Sequence, residues 1–153
     1  MRPVIKPEEK ECLATWVKVE GLDAWTLWDS GSTMTGITPT FAEVAKIPLD
    51  TLEDPHVLQL GTVGSQSVIK YGANVSIEMA NSAFVSYVDV ANFDRYDMII
   101  GTPLLRKGRV VLDFINDQVV VNGKRIPAVK VQAKDLDPRL HRYRSTERAR
   151  KQE

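Results

Sequence analysis

The sequence predicts an all-β domain, a small barrel or sandwich, on three observations. Short runs rich in Val, Ile, Thr, Tyr, Phe and Trp recur between Val17 and Ile126. Gly, Asn, Asp and Pro punctuate them at close intervals, and helical signals occupy only brief stretches. Together these patterns argue against a helical bundle.

Taken in order, "ATWVKVE" runs to Gly21 and "AWTLW" follows it, each with the β-branched and aromatic content of a half-buried strand. In "TPTFAEVAKIP", Thr38 is an N-cap candidate with Pro39 at the first helical position, or Thr40 and Glu43 form a capping box; Pro48 ends either helix. "SVIKYGANVSIEM", "SAFVSYVDV" and "DMII" read as three further strands, the last stopping at Gly101. "TPLLRK" is a second short helix opened by Thr102-Pro103 and closed at Gly108. "VVLDF" and "QVVVNGKRIPAV" complete the series. Asn122-Gly123 between β-branched runs marks a two-residue hairpin, because both residues tolerate positive φ.

The 153 residues suit one domain with a moderate core. Twenty Lys and Arg balance twenty Asp and Glu, so bulk charge does not select nucleic acid or an anionic membrane as partner. A single cysteine, Cys12, and two histidines, His56 and His141, cannot assemble a disulfide framework or a Cys/His zinc site, and neither metal nor cofactor is expected. No apolar signal region or membrane-length run occurs, which points by elimination to the cytoplasm. Residues 1–12 are charged and carry two prolines, and residues 132–153 are polar and basic; both read as flexible flanks of a domain spanning 13–131. The basic tail, with Arg139, Arg142, Arg144, Arg148, Arg150 and Lys151, is the one segment with the charge to touch RNA, and a solvated linker explains it more simply.

One stretch resists a purely structural reading. In "WTLWDSGSTMTG" an apolar strand ends on Asp29, followed by small hydroxyl residues and a glycine. Composition alone would place an Asp-Ser/Thr-Gly tripeptide in on the order of one chain in ten of this size, and an Asx turn would account for it. A phosphodegron would need an exposed setting and a second serine where Met34 stands; a phosphatase nucleophile would need a second carboxylate in a parallel sheet. Neither is present.

Context adds weight. The apolar strand into "WDSGST", the glycine-bearing hairpin "LGTVGSQSVIKY" and then "YDMIIGTPLLRKG" recur in the order found in retropepsins, the aspartic proteases of retroviruses and gypsy-type LTR retrotransposons, and residues 17–128 resemble that family. The resemblance implies a small closed β-barrel that works as a homodimer. It implies that Asp29, with Ser30 and Gly31, is catalytic, and that Val63, Gly64, Ser65, Gln66 and Ser67 lie near the tip of a substrate-covering flap. It further implies that Ile99, Ile100 and Gly101 cross behind the catalytic loop, with Trp28 supporting it. The family more often has threonine after the aspartate; Ser30 keeps the hydroxyl.

The chemistry explains the dimer. Activating a water requires one carboxyl to take a proton while another gives one. Two carboxylates about 3 Å apart cannot both stay ionised, as in the aspartic-protease dyad. With one Asp-Ser-Gly per chain, the second must come from an identical subunit on a two-fold axis. Gly31 lets backbones approach, and Trp28, Leu27, Ile99 and Ile100 are expected to give the loop an apolar backing. The resemblance implies a peptide or polyprotein substrate and a setting in the cytoplasm or a retroelement particle. An inactive or domesticated relative, using the same dimeric fold to bind peptides, is the alternative. Asp97 and Asp113 read as a turn and a strand-end aspartate, and Trp16 and Trp25 as fillers.

Overall fold

The computed structural model describes residues 3–60 and 65–132. After a single 3-10 turn at Pro7–Lys10, β1 (Cys12–Val19) and β2 (Leu22–Trp28) form a hairpin. Its turn, Glu20-Gly21, has φ of 50° and 81°. Such a paired left-handed turn matches the right-handed twist of the strands. Two more hairpins use the device: Ala80-Asn81 joins β5 (Ser65–Met79) to β6 (Ser82–Val90), and Asn122-Gly123 joins β9 (Gln118–Val121) to β10 (Lys124–Pro127).

The remaining elements are β3 (Gly36–Ile37), α1 (Pro39–Val44), β4 (Asp50–Leu60), β7 (Met98–Ile100), α2 (Thr102–Lys107), β8 (Val110–Asp113) and β11 (Val129–Val131). Thr38 caps α1 by accepting from the Phe41 amide at 3.1 Å, with Pro39 at the first position, which decides between the two caps the sequence allowed.

The large sheet runs β11-β1-β2-β7-β3-β6-β5-β4. A further pairing, Lys18 opposite Glu78 and Val19 opposite Ile77, joins β1 to β5 and closes six strands into a barrel. Closure removes most of the edge that an open sheet would expose. Alternation then sends Leu13, Val17 and Val19 of β1 and Val75, Ile77 and Met79 of β5 inward. The same core takes in Leu104 and Leu105 of α2 and Val119 and Val121 of the small sheet β10-β9-β8. Each such side chain contributes about 1.5–3 kcal/mol by leaving water.

β7 lies between β2, to which it is parallel, and β3, to which it is antiparallel. That crossing places the end of β7 beside the end of β2, where Trp28 stands opposite Ile100. Asp29 follows at once.

The fold is the all-β barrel expected, but β4 was not among the predicted strands. Its "TLEDPH" segment carries two acids and Pro55, which disfavour a central strand. β4 is an edge strand, and its register breaks between Thr51, opposite Tyr71, and His56, opposite Ile69. Leu52 to Pro55 therefore stand against Lys70 alone, and the proline sits in the bulge where no ladder bond is lost.

Candidate active site

The loop that carries Asp29 is fixed by its backbone. The Asp29 amide donates to the Ile100 carbonyl at 3.0 Å, extending the β2–β7 ladder by one rung. The chain then turns back: the Ser32 amide reaches the Asp29 carbonyl at 3.2 Å, and the Gly31 amide donates to Asp29 Oδ1 at 2.9 Å. The carboxylate thus holds its own loop through an Asx turn. Asp29 is half-buried, while Ser30 and Gly31 are exposed at the loop tip.

A second layer ties the loop to the β7–α2 junction. The Thr102 amide donates to the Ser32 carbonyl at 2.8 Å, and the Gly101 amide donates to Thr35 Oγ1 at 3.1 Å. The Ser32 hydroxyl donates to the Met34 carbonyl at 2.8 Å and accepts from the Met34 amide at 3.1 Å. A Cβ on Gly101 would lie 2.7 Å from the Ser32 carbonyl oxygen and collide with that of Met34. Glycine is therefore required there by backbone contact from the loop itself.

The apolar support divides by strand alternation. Trp28 and Ile100, 2% and 0% exposed, face the core beneath the loop. The Trp28 indole donates to Thr15 Oγ1 at 2.9 Å, which satisfies its one polar atom. Leu27 and Ile99, paired with each other one register earlier, are only half-buried. Leu27 packs in a separate outer cluster with Ala14, Trp25, Tyr96 and Val131. Trp16 and Trp25 meet there with ring centroids 5.0 Å apart. Of the four backing residues expected, two lie in the core and two on the other face.

Val63 and Gly64 lie outside the described residues. Ser65, Gln66 and Ser67 begin β5 opposite Leu60, Gln59 and Leu58, so the expected flap segment enters the two-stranded arm of β4 and β5. The basic segment 133–153 also lies outside them. Asp113 ends β8, as expected, and accepts from the Ile115 and Asn116 amides and the Asn116 and Gln118 side chains.

Three residues that the sequence reading passed over or misplaced hold the site. Ser32 and Thr35 belong to the hydroxyl-rich run after Asp29, and that density was the available signal. Asp97, expected as a turn residue, is 5% exposed; its Oδ2 accepts from the Trp25 amide at 2.8 Å, its amide donates to the Trp25 carbonyl at 2.8 Å, and its carbonyl accepts from the Thr38 amide at 3.0 Å. It fastens the start of β7 to β2 and to the α1 cap. Cys12, the first residue of β1, has its thiol pKa pushed up by burial and then by the Asp29 charge, which places it within electrostatic reach of that carboxylate. Among the described residues no three His, Cys, Asp or Glu side chains converge as a metal would require.

Asp29 thus stands at the end of a parallel crossing, on a loop packed against Gly101. The family model described as retroviral aspartyl protease matches residues 6–126. This chain belongs to that family. The retroviral aspartyl protease fold is also seen in solved structures. The crystal structure of the retroviral protease-like domain of Ddi1 from Leishmania major superposes with a TM-score of 0.60 at 17% identity, covering 82% of this chain and 98% of that one. The EIAV protease complexed with the inhibitor HBY-793 gives a TM-score of 0.46 at 16% identity, covering 67% and 93%. No curated protein matches this retroviral-type protease chain in sequence.

Proposed function

We propose that this chain is an aspartic endopeptidase whose active centre forms when two copies bring their Asp29 carboxyls together. The observation that carries the reading is the loop: one half-buried carboxylate, oriented through the Gly31 amide, at an exposed tip in a family of aspartyl proteases. Alone it can accept a proton but cannot also deliver one to the substrate.

In the pair, one proton is shared and one carboxyl is ionised. The ionised carboxylate takes a proton from water as its oxygen attacks the scissile carbonyl, and the protonated partner gives its proton to the carbonyl oxygen. The tetrahedral diol then collapses, a proton passes to the departing nitrogen, and the C–N bond breaks. Ser30, exposed beside Asp29, would brace the opposing loop through its hydroxyl. Trp28, Ile100 and Gly101 hold the loop from below, and the hairpin around Val63–Ser67 would cover an extended peptide whose main chain pairs with the protein. The substrate class is a polyprotein of a retroelement, cut beside apolar side chains in the cytoplasm or inside the element's particle.

The test incubates the purified chain with a polyprotein fragment at acidic to neutral pH, with and without a statine-type inhibitor. Inhibitor-sensitive cleavage is expected, and Asp29→Asn should reduce it by roughly three orders of magnitude or more while leaving the circular dichroism unchanged. A mutant that still cuts would move catalysis to another group. Folded protein with no inhibitor-sensitive cleavage, or one that sediments as monomer even with inhibitor, would favour a peptide-binding relative of the protease.

A further inference from the structure

We propose that Tyr87 is a positioning residue: with Asp89 and Gly72 it forms a latch that sets the hinge of the β4–β5 arm, and through it the closure of that arm over a bound peptide. The second half of this statement rests on the protease reading above.

The hinge is located by pairing. β6 partners β5 from Tyr71 to Met79, whereas β4 partners it from Ser65 to Gly72 with a break around Lys70. β4 and β6 therefore flank β5 together only at Tyr71 and Gly72, among the described residues. Toward Ser65 the arm is a two-stranded ribbon, which by itself is weakly stable and strongly twisted. The β4 bulge begins immediately beyond Thr51, on the arm side of the same row.

At that row Asp50, Gly72 and Asp89 stand side by side. Tyr87, two residues from Asp89 on the same face of β6, lays its ring across Gly72. A Cβ there would collide with the phenol oxygen and lie 2.6 Å from Cζ. The phenol donates to Asp89 Oδ1 at 2.7 Å. The ring thus covers bare backbone one row to the barrel side of the last three-stranded row, that of Tyr71, and is tied down by a charge-assisted bond, a combination that resists twisting of β5 against β6. Tyr87 is 46% exposed and lies outside the main core, so core packing gives no reason for the arrangement. Burial, the Asp89 bond and charge, and the Asp50 charge together push the phenol pKa up to about 12. The O–H donor is therefore retained across the whole range in which an aspartic protease works.

The test compares Tyr87→Phe, Gly72→Ala and Tyr87→Ala, and adds Gly72→Ala to the last. Amide exchange should speed up on the order of tenfold for β5 residues 65–69 in Tyr87→Phe and Gly72→Ala. Val75 and Ile77, in the barrel part of the same strand, should keep wild-type rates. Gly72→Ala should add nothing in the Tyr87→Ala background, because there is no ring left to displace. Peptide affinity, read on Asp29→Asn so that nothing is cut, should weaken severalfold, and in the active enzyme KM should rise with kcat nearly kept. Unchanged arm exchange, or an equal rise in the barrel, overturns the latch even if cleavage persists. A shifted arm with weakened peptide binding but no cleavage by the wild type would keep the latch and sink the protease reading.

Discussion

The loop carrying Asp29 and the arm formed by β4 and β5 both leave the same barrel, and they are held in opposite ways. The loop is bound through backbone on several sides: to Ile100 at its start, to Thr102 at Ser32, and to Gly101 through Thr35. Among the described residues, the arm beyond Tyr71 pairs only within its own two strands. On the proposed protease reading, a group that moves protons must stay within a fraction of an ångström of its position, whereas a cover must open and shut. The two modes of attachment fit that proposal.

Two glycines measure the difference. At Gly101 the obstacle to a Cβ is backbone, the carbonyls of Ser32 and Met34, and neither can retreat without dismantling the loop. Gly101→Ala should cost upward of about 3 kcal/mol, read as a fall in the urea midpoint at constant slope. At Gly72 the obstacle is the half-exposed ring of Tyr87, which can swing into solvent. Gly72→Ala should cost less than about 1 kcal/mol in global stability. Equal losses at the two positions would mean that the arm is built into the cooperative core.

Asp97 supplies the next step down in size. Replacing it by Ala removes the acceptor for the buried Trp25 amide and should cost about 1–3 kcal/mol, whereas Asn retains an oxygen for that bond and should cost clearly less. Thr35→Val deprives the Gly101 amide of its acceptor while nearly preserving volume, and about 1 kcal/mol is expected. Both are readable by chemical denaturation. If Thr35→Val proved neutral in stability and activity, the second layer of the loop would be dispensable.

The contrast also explains what the sequence made legible. A loop that must bring backbone against backbone needs particular residue types, so Asp29, Gly31 and Gly101 stand out, whereas the crossing behind the loop came from the family resemblance and not from the apolar runs themselves. Strands buried on alternate residues, such as Ser82–Val90, and the Asn122-Gly123 turn were equally plain. The β4 half of the arm was not, because an edge strand with a bulge can carry Glu53, Asp54 and Pro55 without penalty. The hairpin at Ala80-Asn81 was less plain for another reason: alanine, which ordinarily avoids positive φ, adopts 50° there beside Asn81 at 64°, held by the strands on either side. The anchoring role of Asp97, which lies at the bend before β7 as a turn aspartate would, was not legible because nothing in "RYDMII" says that the amide it binds, Trp25, comes from a distant strand.

Two titrations extend the comparison to pH. On β6 at the base of the arm, the phenol of Tyr87 is held at about 12 against an ordinary value of 10. The folded state therefore keeps its proton more tightly, and the stabilisation is complete below about pH 10 and lost as the pH rises toward 12. Tyr87→Phe should flatten the stability curve in that window.

The smallest effect concerns an aspartate that uses the same local geometry as Asp29. Asp113 also accepts through Oδ1 from the amide two residues on, Ile115 at 2.9 Å, but it closes the β8–β9 turn, and the partners of its carboxylate, Ile115, Asn116 and Gln118, all come from that turn or the strand it opens. Its pKa is lowered, first by the Asn116 side chain and then by the Asn116 amide, with Ile115 and Gln118 adding to them against a small desolvation penalty. A depressed carboxyl contributes stability that is present above its unfolded value of 3.8 and is lost as the pH falls through the folded one. Asp113→Asn should therefore leave cleavage unchanged and remove a shallow acid-side slope in thermal stability, whereas Asp29→Asn should abolish cleavage. Were Asp113→Asn to impair cleavage as well, an Asx turn at the end of a strand would be sufficient to account for Asp29, and the layer built by Ser32, Thr35 and Gly101 would no longer distinguish the two.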